Sequence, residues 1–119
     1  MRASLLTVSR VYDPPRARDG LRVLVDRLWP RGLSKRAAAL HAWYRDAAPS
    51  PRLRQWFGHD PARYQEFRTR YFAELDARPE AVEGLRELVG RRRAVLLFAA
   101  ADPVHNNAVA LRDYLLGRR

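Results

Sequence analysis

Two stretches of the chain are apolar over consecutive positions, and most other apolar residues recur at helical spacing. Leu21 to Leu28 (LRVLVDRL) has Val-Leu-Val at its centre, and Ala94 to Ala99 (AVLLFA) is apolar throughout. A strand buried on one face alternates apolar and polar residues, whereas a continuous apolar run suits a strand covered on both faces. Leu5 to Val11 predicts a further strand, and His41 to Tyr44 a short edge strand. Tyr12 to Gly20 (YDPPRARDG) is predicted to be a loop, because two prolines and an Asp-Gly pair forbid regular structure.

Helical segments fill the spaces between these strands. Ser34 can cap a short helix over Lys35 to Leu40. Ser50 followed by Pro51 marks a helix start, with Gly58 as its stop. Asp60-Pro61 repeats the start signal, and Tyr64, Phe67, Tyr71 and Leu75 then share a stripe. Pro79 opens another helix, with Val82, Leu85 and Val89 facing inward and Gly90 ending it. Asp102-Pro103 is expected to start the last helix, with Val104, Ala108, Leu111 and Leu115 on its inner face. Strands separated by helices predict an α/β fold: a small three-layer domain with a partly parallel sheet of three to four strands flanked by helices. At 119 residues this is expected to be a single domain spanning 1–119.

Composition narrows the chemistry. The absence of cysteine removes disulfides, thiolate nucleophiles and thiolate-bound metal. No apolar run is long enough to span a bilayer, and MRASLLTVSR does not resemble a signal peptide, so a cytoplasmic protein without membrane contact is expected. The formal charge of +10 attracts polyanions, so nucleic acid is one class of partner and an anionic small molecule another. Lys35 is the one lysine among 23 basic residues, and so uniform a use of arginine also reads as genome composition. The three histidines share no metal-ligand spacing and there is no glycine-rich phosphate loop, so neither metal nor cofactor is expected.

In open α/β sheets ligands bind beyond the carboxyl ends of the strands. That rule selects Arg10, Tyr12 and Asp13 after the first strand. After the second it selects Asp26, Arg27, Trp29 and Arg31, with Lys35 beyond, and after AVLLFA it selects Asp102, His105, Asn106 and Asn107. Arginine grips carboxylate or phosphate with two hydrogen bonds, and Trp29 offers a flat face for a ring. Asp26 and His105 are the candidate acid–base groups. Asp26 would act as a general base or would orient an arginine; the alternative is a structural tie to Arg27 or Arg31, with Trp29 filling the core. His105, placed in the first turn of the last helix, would be kept neutral there; the alternative is a hydrogen bond to its own loop. Asn106 and Asn107 have the same choice between ligand and loop. His59 reads as part of a capping turn with Asp60, and His41 as an edge residue. Trp43, Trp56, Phe57, Tyr64, Phe67 and Tyr71 are expected in the core.

Several of these segments resemble the YeaO-like family, the short branch of domain of unknown function 488. They are RVYDPP, DGLRVLVDRLWPRGLSK, APS, LRQWFGHDP, FRTRYFAEL and LLFAAADPVHNNAVAL, and they run nearly end to end. The resemblance implies a small α/β/α domain with no characterised activity. The longer branch carries a cysteine-histidine-arginine motif after its last strand, where this chain has His105-Asn106-Asn107, so thiol chemistry does not carry over. Arg36 stands where relatives usually place an acid, and Ala101 where many have lysine.

Overall fold

The computed structural model describes residues 2–118. Four strands, β1 (Leu6–Arg10), β2 (Leu21–Leu24), β3 (Ala42–Trp43) and β4 (Ala94–Phe98), form one sheet in the order β1-β4-β2-β3. Every pairing is parallel, so the sheet is fully rather than partly parallel and all the strands end on the same edge. Thr7 faces Val95 in the β1–β4 register, and Val23 faces Leu96 in β2–β4. β4 lies between two neighbours and is buried at all five positions, which is what its unbroken apolar run requires.

The two faces are covered unequally. One carries α2 (Pro51–Phe57), α3 (Tyr64–Asp76), α4 (Pro79–Val89) and α5 (Asn107–Leu115) over Leu6, Val23, Val25, Ala94, Leu96 and Phe98. Its helices contribute Phe67, Tyr71, Leu85 and Leu111, all buried, and Phe57 stacks on Phe67 at 4.4 Å between ring centroids. Burying one such side chain stabilises by about 1.5–3 kcal/mol. The other face is thin: α1 (Lys35–Ala38), Trp29 and Trp43 cover Leu24, Val95 and Leu97. Arg22 is buried here at 4% exposure, which is tolerable because its guanidinium is fully engaged. It bonds Asp19 at 2.6 Å and the Ala38 and Ala39 carbonyls. Gly20 precedes β2 at φ 69°, where a Cβ would lie 2.1 Å from the Arg93 carbonyl oxygen. Only glycine lets the two chains come that close.

Capping explains most boundaries. Ser34 accepts from the Ala37 N–H and Ser50 from the Leu53 N–H. Glu74 accepts in turn from the Ser50 N–H and hydroxyl. Gly58 ends α2 at φ 55°. Several boundaries differ from expectation, among them β3, which spans Ala42–Trp43 rather than His41 to Tyr44. β1 is one residue shorter at each end than Leu5 to Val11, although the Val11 N–H still reaches Phe98. β2 stops at Leu24 rather than Leu28; the Val25 N–H still bonds Leu97, but the next donor on β4, the Ala99 N–H, is taken by the Asp26 side chain. α1 ends at Ala38 because Ala39 turns left-handed at φ 49°. The Tyr12 to Gly20 loop contains a 3₁₀ turn, Ala17–Asp19. The last helix starts at Asn107, not at Asp102-Pro103, so Val104 lies outside it and is 57% exposed. Among the described residues no helix is long and apolar enough to cross a membrane.

Candidate functional site

The parallel sheet brings the carboxyl ends of β2 and β4 together, and a pocket of about 270 Å³ opens beyond them. Asp26 lies in its wall, two residues past the end of β2. One carboxylate oxygen accepts from the Ala99 N–H at 2.9 Å, and the other from Asn107 Nδ2 at 3.0 Å. The same Asn107 amide also donates to the Val25 carbonyl at 3.1 Å, so one side chain ties the start of α5 to the end of β2. Trp43 Nε1 donates to the Asp26 carbonyl at 2.7 Å. Burial pushes the Asp26 carboxyl above its ordinary value; the Ala99 and Asn107 bonds, then the charges of His59 and Arg54, oppose the shift without cancelling it.

The rest of the wall is mainly apolar. Trp29, Pro30, Pro49, Phe57, Phe67 and Ala100 contribute, and Leu28, 57% exposed, stands at the rim. Trp29 packs against Trp43 at 5.3 Å, donates to the Leu33 carbonyl at 2.6 Å, and also lines the pocket. The cations divide into tied and untied. Arg27 bonds the Pro49 and Ala48 carbonyls. Arg10 bonds the Ala99 and Ala100 carbonyls and lies over the Tyr12 ring. The Tyr12 hydroxyl holds the Arg31 carbonyl at 2.7 Å. The guanidinium groups of Arg31 and Arg54 have no hydrogen-bond or ion-pair partner among the described residues, and both residues line the pocket.

Asp26, Arg27, Tyr12, Trp29, Arg31, Asn106 and Asn107 therefore meet at one pocket. The alternative tie of Asp26 to Arg27 or Arg31 is not what forms, since its partners are Ala99 and Asn107. Arg10 braces the rim from behind, Lys35 is exposed at the start of α1 and outside the wall, and Asp13 is exposed in its loop. Asp102, His105 and Asn106 make a local network, of which Asn106 also lines the pocket. Asp102 accepts from the Val104 and His105 N–H groups and meets His105 Nδ1 at 2.8 Å. Those bonds pull its carboxyl down to about 2. His105 precedes α5 instead of lying in its first turn, packs edge-on against Tyr64, and is not part of the pocket wall. Burial pushes the Tyr64 hydroxyl up to about 12, and it donates to the Asn106 carbonyl. Asn106, 1% exposed, is the N-cap: its Oδ1 accepts from the Val109 N–H and its Nδ2 donates to the Asp102 carbonyl.

Sequence reasoning passed over Arg54, Phe57, His59 and Phe67 as pocket residues. Asp60 does make the expected cap, to the Ala62 N–H, but His59 sits at φ 57° and lines the pocket. Gly58 and His59 are both left-handed, and the two in succession turn the chain after α2. His41 accepts from the Arg22 N–H beside the edge strand.

Comparison with known proteins gives the family. Residues 5–118 match the family described as "Inactive DUF488-N3 subclade". The chain is 40% identical over 106 residues to the uncharacterized protein YeaO of Escherichia coli K12, covering 89% of this chain and 92% of that one. It is 39% identical over 118 residues to the uncharacterized protein Rv3073c of Mycobacterium tuberculosis H37Rv, covering 99% of both. No solved structure matches. The chain belongs to the DUF488 family, and within it to the YeaO-like proteins.

Proposed function

We propose that this YeaO-like chain, acting as a single cytoplasmic domain, binds a small anionic molecule with an apolar or aromatic body, such as a nucleotide, in the pocket beside Asp26. One observation carries the reading: Arg31 and Arg54 line a largely apolar pocket with their guanidinium groups untied. A guanidinium at the edge of an apolar hollow favours a carboxylate or phosphate, and its fork geometry favours two-point capture. Trp29 and Phe57 supply flat surface for the body of the ligand. The Asp26 carboxylate retains acceptor capacity for a hydroxyl or amine after its two bonds. The volume lies just under the usual range of about 300–1,000 Å³, which favours a compact ligand.

Binding without turnover is the form of this reading that has most support. The Asp26 oxygens are each committed to a structural donor, and His105 is committed to Asp102. The description of the matching subclade as inactive agrees. A thermal-shift screen of nucleoside monophosphates, sugar phosphates and aromatic carboxylates tests it. A true ligand at about 100 times its Kd should add about 2.7 kcal/mol, a rise of several degrees in Tm. Arg54→Ala should abolish most of that rise, and mass spectrometry should recover the ligand unchanged. A screen with no stabilising compound, or an Arg54→Ala protein that responds like the wild type, would overturn the proposal.

A further inference from the structure

A further cavity lies at the opposite end of the sheet. It measures about 430 Å³ and is lined by Arg2, Leu5, Leu6 and the turn from Val89 to Arg92 that leads into β4. A second cleft of about 290 Å³ opens on the uncovered part of the thin face, where Thr7 and Ser9 of β1 lie beside Arg16, Arg18 and Arg93. Arg91, Arg92 and Arg93 are consecutive, so one turn supplies cations to both clefts. Asp19 is the one acidic residue lining either, and its carboxylate is already taken by the Arg22 guanidinium and the Arg16 N–H.

We propose that this end of the molecule is a second binding surface, which grips the phosphate backbone of duplex nucleic acid. Arginine abundance alone does not explain the arrangement. Many arginines of this chain are structural donors: Arg27, Arg78, Arg86 and Arg112 each bond main-chain carbonyls, and so does Arg92 within this turn. The guanidinium groups of Arg2, Arg18, Arg91 and Arg93, by contrast, have no hydrogen-bond or ion-pair partner among the described residues. Uncompensated like charges repel one another, and a polyanion relieves that repulsion. Guanidinium forks match phosphate oxygens, and the Ser9 hydroxyl adds a neutral donor of the kind that positions a protein on a backbone. No aromatic side chain lines either cleft, so there is no platform on which the bases of a single strand could stack. The chemistry therefore suits a duplex, whose phosphates stand at fixed spacing, read without regard to sequence.

The test is fluorescence anisotropy of the full chain with a short labelled duplex, from about 50 to about 200 mM salt. Wild-type protein should bind at low salt with affinity falling steeply as salt rises. Arg91→Gln/Arg93→Gln should weaken low-salt binding about tenfold and lower the salt slope by about 2. Arg2→Gln/Arg18→Gln, which draws on both clefts without touching the turn, should do the same, so a folding defect in one pair leaves the other decisive. Arg36→Gln/Arg52→Gln removes the same charge from exposed positions outside both clefts, and should cost less than twofold. Three results would each overturn the proposal: no binding at low salt, equal losses in all three pairs, or binding to anionic phospholipid vesicles but not to the duplex.

Discussion

Asp26 and Asp102 each follow a central strand by a few residues, and the fold treats them in opposite ways. Asp26 faces a pocket and is held by partners distant in sequence, the Ala99 N–H and the Asn107 side chain. Asp102 is held by the two N–H groups that follow it and by the imidazole three residues on. Burial raises the Asp26 carboxyl, while local hydrogen bonds lower that of Asp102. A carboxylate that closes its own loop is a local device, formed wherever the loop forms. A carboxylate that joins β2, β4 and α5 is a consequence of the whole fold and depends on all three elements.

The largest expected effect is therefore at Asp26. Asp26→Ala leaves the Ala99 N–H and one Asn107 proton without an acceptor at a partly buried site, which costs about 1–3 kcal/mol. Relief of the buried carboxylate offsets part of this, so urea unfolding at neutral pH should place the loss in the lower half of that range. Asn107→Ala should destabilise similarly, since it removes donors to both Asp26 and the Val25 carbonyl. The double variant should lose less than the sum of the two single losses, because the residues share a bond. Strict additivity would mean the hydrogen bond carries no weight.

Acid titration sharpens the contrast because the signs differ. Asp26 has a folded-state pKa raised above the ordinary 3.8. Its contribution is most favourable below that ordinary value and is lost as pH rises through the raised one. Asp102 has a folded-state pKa lowered from 3.8 to about 2. Its contribution is present above the ordinary value and is lost as pH falls toward about 2. Relative to Asp26→Asn, the wild type should thus gain stability on acidification. Relative to Asp102→Asn it should lose stability, in the lower window. Urea midpoints measured from neutral to strongly acidic pH for the three proteins check both slopes; two slopes of the same sign would remove the distinction.

The pattern of residues revealed one of these regions better than the other. β4 was legible because AVLLFA has no polar position, and α2 because Ser50, Pro51 and Gly58 mark both of its ends. β2 was drawn too long: Leu28 follows its apolar run closely, and nothing local shows that Asp26 takes over the next β4 donor. The start of α5 was misplaced because Asp102 and Asn106 both carry capping chemistry four residues apart. Asp102 makes a turn, and Asn106 makes the helix, since Ala108, Leu111 and Leu115 are buried behind it while Val104 is not. The convergence on Asp26 followed from strand topology, which the pattern supported. Arg54 and His59 were invisible as pocket residues. Their direction depends on where α2 packs and on a left-handed histidine, and neither leaves a mark in residue type.

The smallest effect is expected at His105, and it tests whether the two regions are separate at all. His105→Ala removes a bond to Asp102 but leaves the Val104 and His105 N–H donors in place, so stability should fall only slightly. Because the imidazole is outside the pocket wall, any ligand-induced rise in Tm should be the same as in the wild type. Arg54→Ala provides the comparison, since it should lose that rise with little change in the unliganded Tm. If His105→Ala abolished the ligand response while Arg54→Ala preserved it, the imidazole would have to turn away from Asp102 and enter the pocket on binding. Asp26 and His105 would then act on one ligand, and the separation argued from their hydrogen-bond partners would be a property of the empty protein alone.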